Sequence, residues 1–159
     1  MEFLKRTKIF EILRWIGVFI GIFLAFYFGN TPQQQFSIMF VWVTVSLAGL
    51  TGINLFFGES SSEYSGYMSE SGFKRQSGIN LIAIAITALI VYFLNWGIYA
   101  EAAVMIILLI FLVVNSINHV YSAFIEGAKN KINILRPLMT LILLIVVLPL
   151  MLNALSSLK

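Results

Sequence analysis

Residues 102–124 read AAVMIILLIFLVVNSINHVYSAF, and this stretch decides the class of fold. It is apolar without interruption as far as Val114 and carries no Asp, Glu, Lys or Arg over its whole length. A helix that crosses the hydrocarbon core of a bilayer needs roughly 20 mostly apolar residues, at about 1.5 Å of rise each. The stretch is therefore predicted to be a transmembrane helix.

Four further segments have the same character, and the composition of the whole chain agrees with them. Hydrophobic residues make up 60% of the 159 residues and charged residues only 11%, whereas about a quarter of the residues in soluble domains are charged. A soluble chain of this length would have too little interior to bury so much apolar surface. The prediction is an all-α integral membrane protein, one transmembrane domain over residues 1–159. Its five helices are expected at about 12–28, 36–57, 78–94, 102–124 and 135–155, with a long cytoplasmic loop at 58–77.

The distribution of Lys and Arg predicts how the helices are oriented. Short loops on the cytoplasmic side of a membrane are enriched in these two residues. Only Lys159 falls on one predicted side, and the other nine of the ten fall on the opposite side: Lys5, Arg6, Lys8, Arg14, Lys74, Arg75, Lys129, Lys131 and Arg136. The N-terminus is therefore predicted to be cytoplasmic and the C-terminus outside, in a multi-pass protein of the cytoplasmic membrane.

The lack of cysteine narrows the chemistry that the chain can carry. Without Cys it has no disulfide, thiol redox centre, thiolate metal site or iron–sulfur cluster. The single histidine, His119, cannot supply bis-histidine ligation of a haem, and a zinc ion would need carboxylates to complete its ligands. No metal and no cofactor are therefore predicted. The basic residues lie next to the membrane and not on a soluble face, so nucleic-acid binding is not expected.

Polar residues recur at helical spacing towards the end of the fourth predicted helix. At about 100° per residue, they fall within roughly a third of the helix circumference: Asn115, Asn118, His119, Ser122 and Glu126. These residues are candidates for handling a ligand or a proton in a small polar cavity that opens to the cytoplasm. No other ionisable group is expected at the depth of His119. The alternative is that the polar residues only form hydrogen bonds between packed helices.

Neighbouring helices carry residues that match this polar stripe in depth. Asn54 lies near the cytoplasmic end of the second helix and Asn80 near the start of the third. Both are expected to meet Asn118 and His119 in one layer inside the bundle. In the first helix, the spacing of Gly17 and Gly21 favours close packing against a neighbouring helix or a second copy of the chain.

Several short motifs in the second half of the chain carry a resemblance to a known group of proteins. They are Gly78-Ile79-Asn80-Leu81 at the start of a helix, Trp96 after that helix, the Asn118-His119 pair, and Pro137 early in the last helix. In these motifs the chain resembles a family of uncharacterised small integral membrane proteins of bacteria and archaea. The architecture of that family is broadly similar to that of DoxX-like proteins, which generally have four helices. The resemblance implies a helical bundle and draws attention to Asn80 and His119, but it implies no reaction.

Three classes of function remain open. The sequence favours a non-catalytic subunit or oligomeric scaffold with a cytoplasm-facing polar pocket, which assembles with itself or with a larger membrane complex, because no catalytic motif is present. The second class is a small-solute or ion transporter or channel that uses the polar stripe as half of its pathway. The third is a membrane redox accessory that handles a quinone or a lipid near His119. Membrane lipid is an expected partner in each case.

Overall fold

The computed structural model describes residues 2–57, 71–125 and 131–158, and all regular structure in these residues is helical. The elements are α1 (Glu2–Phe28), α2 (Pro32–Thr44), a π-helical segment (Val45–Gly49), α3 (Leu50–Phe57), α4 (Ser71–Phe93), α5 (Ile98–Phe124) and α6 (Lys131–Ser156). Because α2, the π-helical segment and α3 follow one another without a break, they form one span. The described residues therefore contain 5 helices long and apolar enough to cross a membrane, as expected for a multi-pass membrane protein.

The helices extend further than the apolar segments that predict them. Each begins earlier than expected, and Ser71–Ser77, which was predicted as loop, is the first part of α4. Hydropathy marks only the part of a helix that suits hydrocarbon, whereas backbone hydrogen bonding continues into polar residues that water can solvate. The rest of the predicted loop, residues 58–70, lies outside the described residues.

The span from Pro32 to Phe57 is the centre of the bundle. In the most apolar 18-residue stretch of this span, 56% is buried inside the bundle, whereas the corresponding share is at most 33% in any other span. It packs against α1, α4, α5 and α6. Bulky apolar side chains with no exposed surface, four of them on this span and two on α5, form the core: Phe36, Met39, Phe40, Val43, Met105 and Leu108.

The π-helical segment changes which faces of this central span meet its neighbours. A π-turn holds one more residue than an α-turn, so side chains after Gly49 are rotated by about 100° relative to an uninterrupted α-helix. Leu47, within the segment, and Thr51, just after it, both line the same internal cavity. Local π-helical turns occur frequently at functional sites.

Candidate functional site

An internal cavity of about 60 Å³ lies in the half of the bundle at which α1 begins, and it reaches the middle of the helices at Phe111 and Leu143. All five spans contribute to its lining, which consists of Arg14, Trp15, Leu47, Thr51, Leu81, Leu108, Phe111, Leu112, Asn115, Ser116, Arg136, Thr140 and Leu143. A buried water needs about 10–15 Å³ of such volume, so the cavity has room for roughly four to six waters or a ligand of comparable size.

Two arginines from opposite ends of the chain meet at this cavity and share one carboxylate. Nη2 of Arg14 donates to Oε2 of Glu11, and Nη2 of Arg136 donates to Oε1 of the same carboxylate at 3.0 Å. Nη1 of Arg14 also donates to Oγ1 of Thr51 at 3.2 Å. The two arginine side chains are only 13% and 25% exposed. Within the described part of the chain, two guanidinium charges therefore face one carboxylate charge, and the cavity lining itself contains no acidic residue.

One guanidinium donor of Arg14, which lines the cavity, is left without an acceptor. Nε of Arg14 is buried and has no hydrogen-bond partner among the described residues. A buried N–H group without an acceptor is unfavourable by about 1–3 kcal/mol, and by more when the group is charged. Because Arg14 lines the cavity, a shift of its side chain towards an acceptor there, whether water or a ligand oxygen, would remove this penalty.

His119 is not among the residues that line the cavity, but it forms a hydrogen bond with Arg136, which is one of them. This contact orients the Arg136 side chain. The imidazole is 1% exposed, with Nε2 at 3.0 Å from Nη1 of Arg136 and Nδ1 at 2.9 Å from Oδ1 of Asn133. Because a guanidinium can only donate, Nε2 is the acceptor and Nδ1 carries the hydrogen that is donated to Asn133. This pattern is that of a neutral imidazole. The histidine therefore acts on the cavity through the arginine that it holds.

The cavity is polar at one end and apolar at the other. Oγ of Ser116 donates to Oγ1 of Thr140 at 2.8 Å on the polar side. Leu112 and Leu143 lie about one turn deeper in α5 and α6, towards the middle of the bundle. A group that binds here would meet hydrogen-bond donors near the end of the bundle and hydrocarbon further in.

The predicted polar stripe on α5 is only partly directed into the bundle. Asn115 lines the cavity, and His119 and Ser122 are buried. Asn118 is exposed on the outside of the bundle, because it lies at the edge of the stripe, about 100° from His119 around the helix. Glu126 lies outside the described residues.

The expected layer of Asn54, Asn80, Asn118 and His119 does not form. Asn80 is exposed and accepts a hydrogen bond from Nε2 of Gln76 on its own helix at 3.4 Å, and Asn54 is half-buried. These residues were matched by depth, but depth does not determine the direction in which a side chain points around its helix. The rotation of each helix about its axis is set by packing.

Gly17 and Gly21 lie where α1 packs against the central span. A Cβ atom on Gly17 would collide with the side chain of Ser46, and one on Gly21 with that of Trp42. The closest approach of these glycines is therefore to a neighbouring helix of the same chain.

The expectation that no other ionisable group lies at the depth of His119 is wrong, because the guanidinium of Arg136 is in hydrogen-bonding contact with it. Arg14, Arg136 and Glu11 form one hydrogen-bonded group with it. In the sequence both arginines resemble ordinary juxtamembrane cations. The signal that could have identified Arg14 is its position inside an apolar helix, since an ionisable residue within a membrane span is a functional candidate by default.

A second buried polar contact lies at the opposite end of the bundle. Glu101, in the first turn of α5, is 3% exposed, and its Oε2 accepts a hydrogen bond of 2.6 Å from the hydroxyl of Ser37 on α2. Fully buried Met105 lies along α5 between this contact and Leu108, which lines the cavity. No group of three His, Asp or Glu side chains that could hold a metal ion is found in residues 2–57, 71–125 and 131–158.

Comparison with known proteins gives one match. The model of a family of unknown function (DUF6790) matches residues 7–158, which agrees with the resemblance to an uncharacterised family. No curated protein and no solved structure matches the chain.

Proposed function

The chain belongs to DUF6790, a family of unknown function, and we propose that it is a non-catalytic protein of the cytoplasmic membrane that binds a small anionic group in its internal cavity. The ligand enters from the cytoplasmic side. Its binding group is a carboxylate or a phosphate, carried either by a free anion or by a lipid headgroup.

The observation that carries this proposal is the excess of guanidinium charge at the cavity, together with an unsatisfied donor on one of the two arginines that line it. Arg14 and Arg136 share one carboxylate, and Nε of Arg14 has no acceptor among the described residues. Placing a charged side chain within a membrane span is energetically unfavourable, and such side chains are normally paired with an opposite charge or a hydrogen-bond partner. An anion in the cavity supplies a second negative charge and, when the Arg14 side chain shifts towards it, the missing acceptor. Hydrogen bonds between guanidinium and oxyanions are among the strongest in proteins.

The charge distribution supports entry from the cytoplasm. The cavity lies in the half of the bundle to which the sequence assigns nine of the ten Lys and Arg residues, and the positive-inside rule predicts that this side faces the cytoplasm. A concentration of positive charge around the entrance raises the local concentration of anions.

The packing of the bundle favours binding over passage through it. Met39, Phe40 and Met105 have no exposed surface and lie in the bundle beyond the cavity. A transporter or channel would need these side chains to move. A cavity with room for about four to six waters is also too small for a quinone ring. Assembly of the chain with itself or with a larger complex stays a prediction.

The proposal is tested by ligand-induced stabilisation of the purified protein in a neutral detergent. Unfolding is followed while acetate or inorganic phosphate replaces gluconate, an anion too large for the cavity, at constant ionic strength. A ligand at 100 times its Kd stabilises the folded state by about 2.7 kcal/mol. Vesicles of phosphatidylglycerol and of phosphatidylcholine form a second arm, which separates a lipid headgroup from a free anion.

Matched variants link any stabilisation to the cavity. Arg14→Gln removes the guanidinium, and Arg14→Lys keeps the charge but removes the Nε donor. Arg75→Gln is the control, because Arg75 is exposed at the same end of the bundle. We expect both Arg14 variants to lose stabilisation by anions and Arg75→Gln to keep it. A wild-type protein that neither small anions nor anionic lipid stabilise would refute the proposal.

A further inference from the structure

We infer that the ligand is a short-chain monocarboxylate, with its carboxylate at the two arginines and its hydrocarbon end among leucines. This inference rests on the proposed function and assigns the class of ligand within it.

The lining separates into a polar rim and an apolar floor. On three helices that contribute to the cavity, the polar residue lies nearer the cytoplasmic end and a leucine lies about one turn deeper. These pairs are Thr51 and Leu47, Asn115 and Leu112, and Thr140 and Leu143. An occupant that fills the cavity therefore has an oxygen-bearing end and a hydrocarbon end.

The size of the cavity limits the length of the hydrocarbon. A volume of about 60 Å³ accommodates roughly four to six water-sized groups. Acetate, propionate and butyrate fall within this limit, whereas hexanoate does not. The inferred class is therefore a free short-chain acid and not the acyl chain of a membrane lipid.

The charge of the lining selects a monoanion over a dianion. Both arginines and the hydroxyl donors lie at the rim, and the floor consists of leucine side chains and Phe111, which have no hydrogen-bonding group. A second carboxylate, or a charged oxygen of phosphate, would be placed against hydrocarbon, where an unpaired charge is strongly unfavourable. Nitrate is a useful comparison because it has the planar oxygens and single charge of a carboxylate but no hydrocarbon end.

The test measures affinities of purified wild-type protein in neutral detergent by isothermal titration, with gluconate as the background anion. The ligands are formate, acetate, propionate, butyrate, hexanoate, nitrate and malonate. Each methylene that enters the apolar floor is expected to tighten binding about fourfold. Affinity should rise from formate to propionate and fall for hexanoate, with nitrate and malonate weaker than propionate.

Two alanine variants on α5, one inside the cavity and one outside the bundle, test where the hydrocarbon end of the ligand lies. Leu112→Ala deepens the floor and should move the preferred chain length upward by one or two carbons. Ile110→Ala is the control, because Ile110 is exposed on the outer face of the same helix, and its preferred length should stay that of wild type.

The outcomes separate this inference from the proposed function. Equal affinities for nitrate, formate and propionate overturn the inference and leave anion binding in place. Stabilisation by phosphatidylglycerol vesicles without binding of any free carboxylate overturns it in favour of a lipid headgroup. If no anion binds and the vesicles do not stabilise the protein, the proposed function is refuted as well.

Discussion

The contact between α3 and α4 gives the sharpest test of how this bundle is held together. An ideal Cβ on Gly52 would lie 2.8 Å from the carbonyl oxygen of Gly78 and 2.9 Å from the backbone nitrogen of Ile82. A Cβ on Gly78 would lie 2.9 Å from the carbonyl oxygen of Gly52 and from the backbone nitrogen of Phe56. These are backbone atoms, so no side-chain rotation relieves the collision. Alanine at either position requires the two helices to separate by about half an ångström.

Two opposing effects determine how much Gly52→Ala lowers the free energy of unfolding. Overpacking costs about 1–3 kcal/mol, and we take the upper value because both helices must move as units. Alanine also favours the helix by about 1 kcal/mol relative to glycine. The net loss of unfolding free energy is about 2 kcal/mol. Gly49→Ala is the control, since its Cβ would meet only side-chain atoms, the nearest at 3.4 Å, and it should not destabilise the protein.

The assay is unfolding of the purified protein in mixed micelles as the fraction of dodecyl sulfate increases, followed by loss of helical circular dichroism. Gly52→Ala and Gly49→Ala should differ by about 2–3 kcal/mol. The double variant Gly52→Ala/Gly78→Ala should cost less than the sum of the single variants, because one separation of the helices relieves both collisions. Equal stability of Gly52→Ala and Gly49→Ala would refute the backbone contact.

Other variants test the polar contacts of the bundle by the same unfolding measurement. Glu11→Gln leaves two guanidinium groups without their shared carboxylate and should cost about 2–3 kcal/mol; an unchanged midpoint would contradict the bridge. Asn133→Ala removes an acceptor from buried His119 and should cost about 1–3 kcal/mol, whereas Asn118→Ala, at an exposed site, should stay within about 0.5 kcal/mol of wild type. Glu101→Ala should destabilise more than Glu101→Gln, which keeps an oxygen for the serine hydroxyl; the reverse order would exclude that hydrogen bond.

The sequence predicted the candidate site only for residues that lie on the same helix. The spacing of Asn115, His119 and Ser122 on α5 identified a polar face, because residues on one helix share a fixed geometry. Asn80 and Asn54 were expected beside them from depth alone, and Asn80 instead lies on the surface of the bundle. Helical periodicity relates residues within a helix, but the angle at which two helices face each other is decided by the side chains packed between them.

The apolar segments by themselves determined that this chain folds as helices long enough to cross a membrane, since hydrocarbon leaves the backbone no other partners for its hydrogen bonds. Only the tertiary structure decided what lies inside the bundle. Glu11 and Arg136 are 125 residues apart in the sequence, and each resembles an ordinary charge at a helix end. Packing of α1 and of α6 against the central span brings them together with Arg14. The result is a cavity lined by two arginines, one of which has an unsatisfied donor. The physical reason is that hydropathy depends on local composition, whereas a binding site depends on the relative rotation and separation of helices that are distant along the chain.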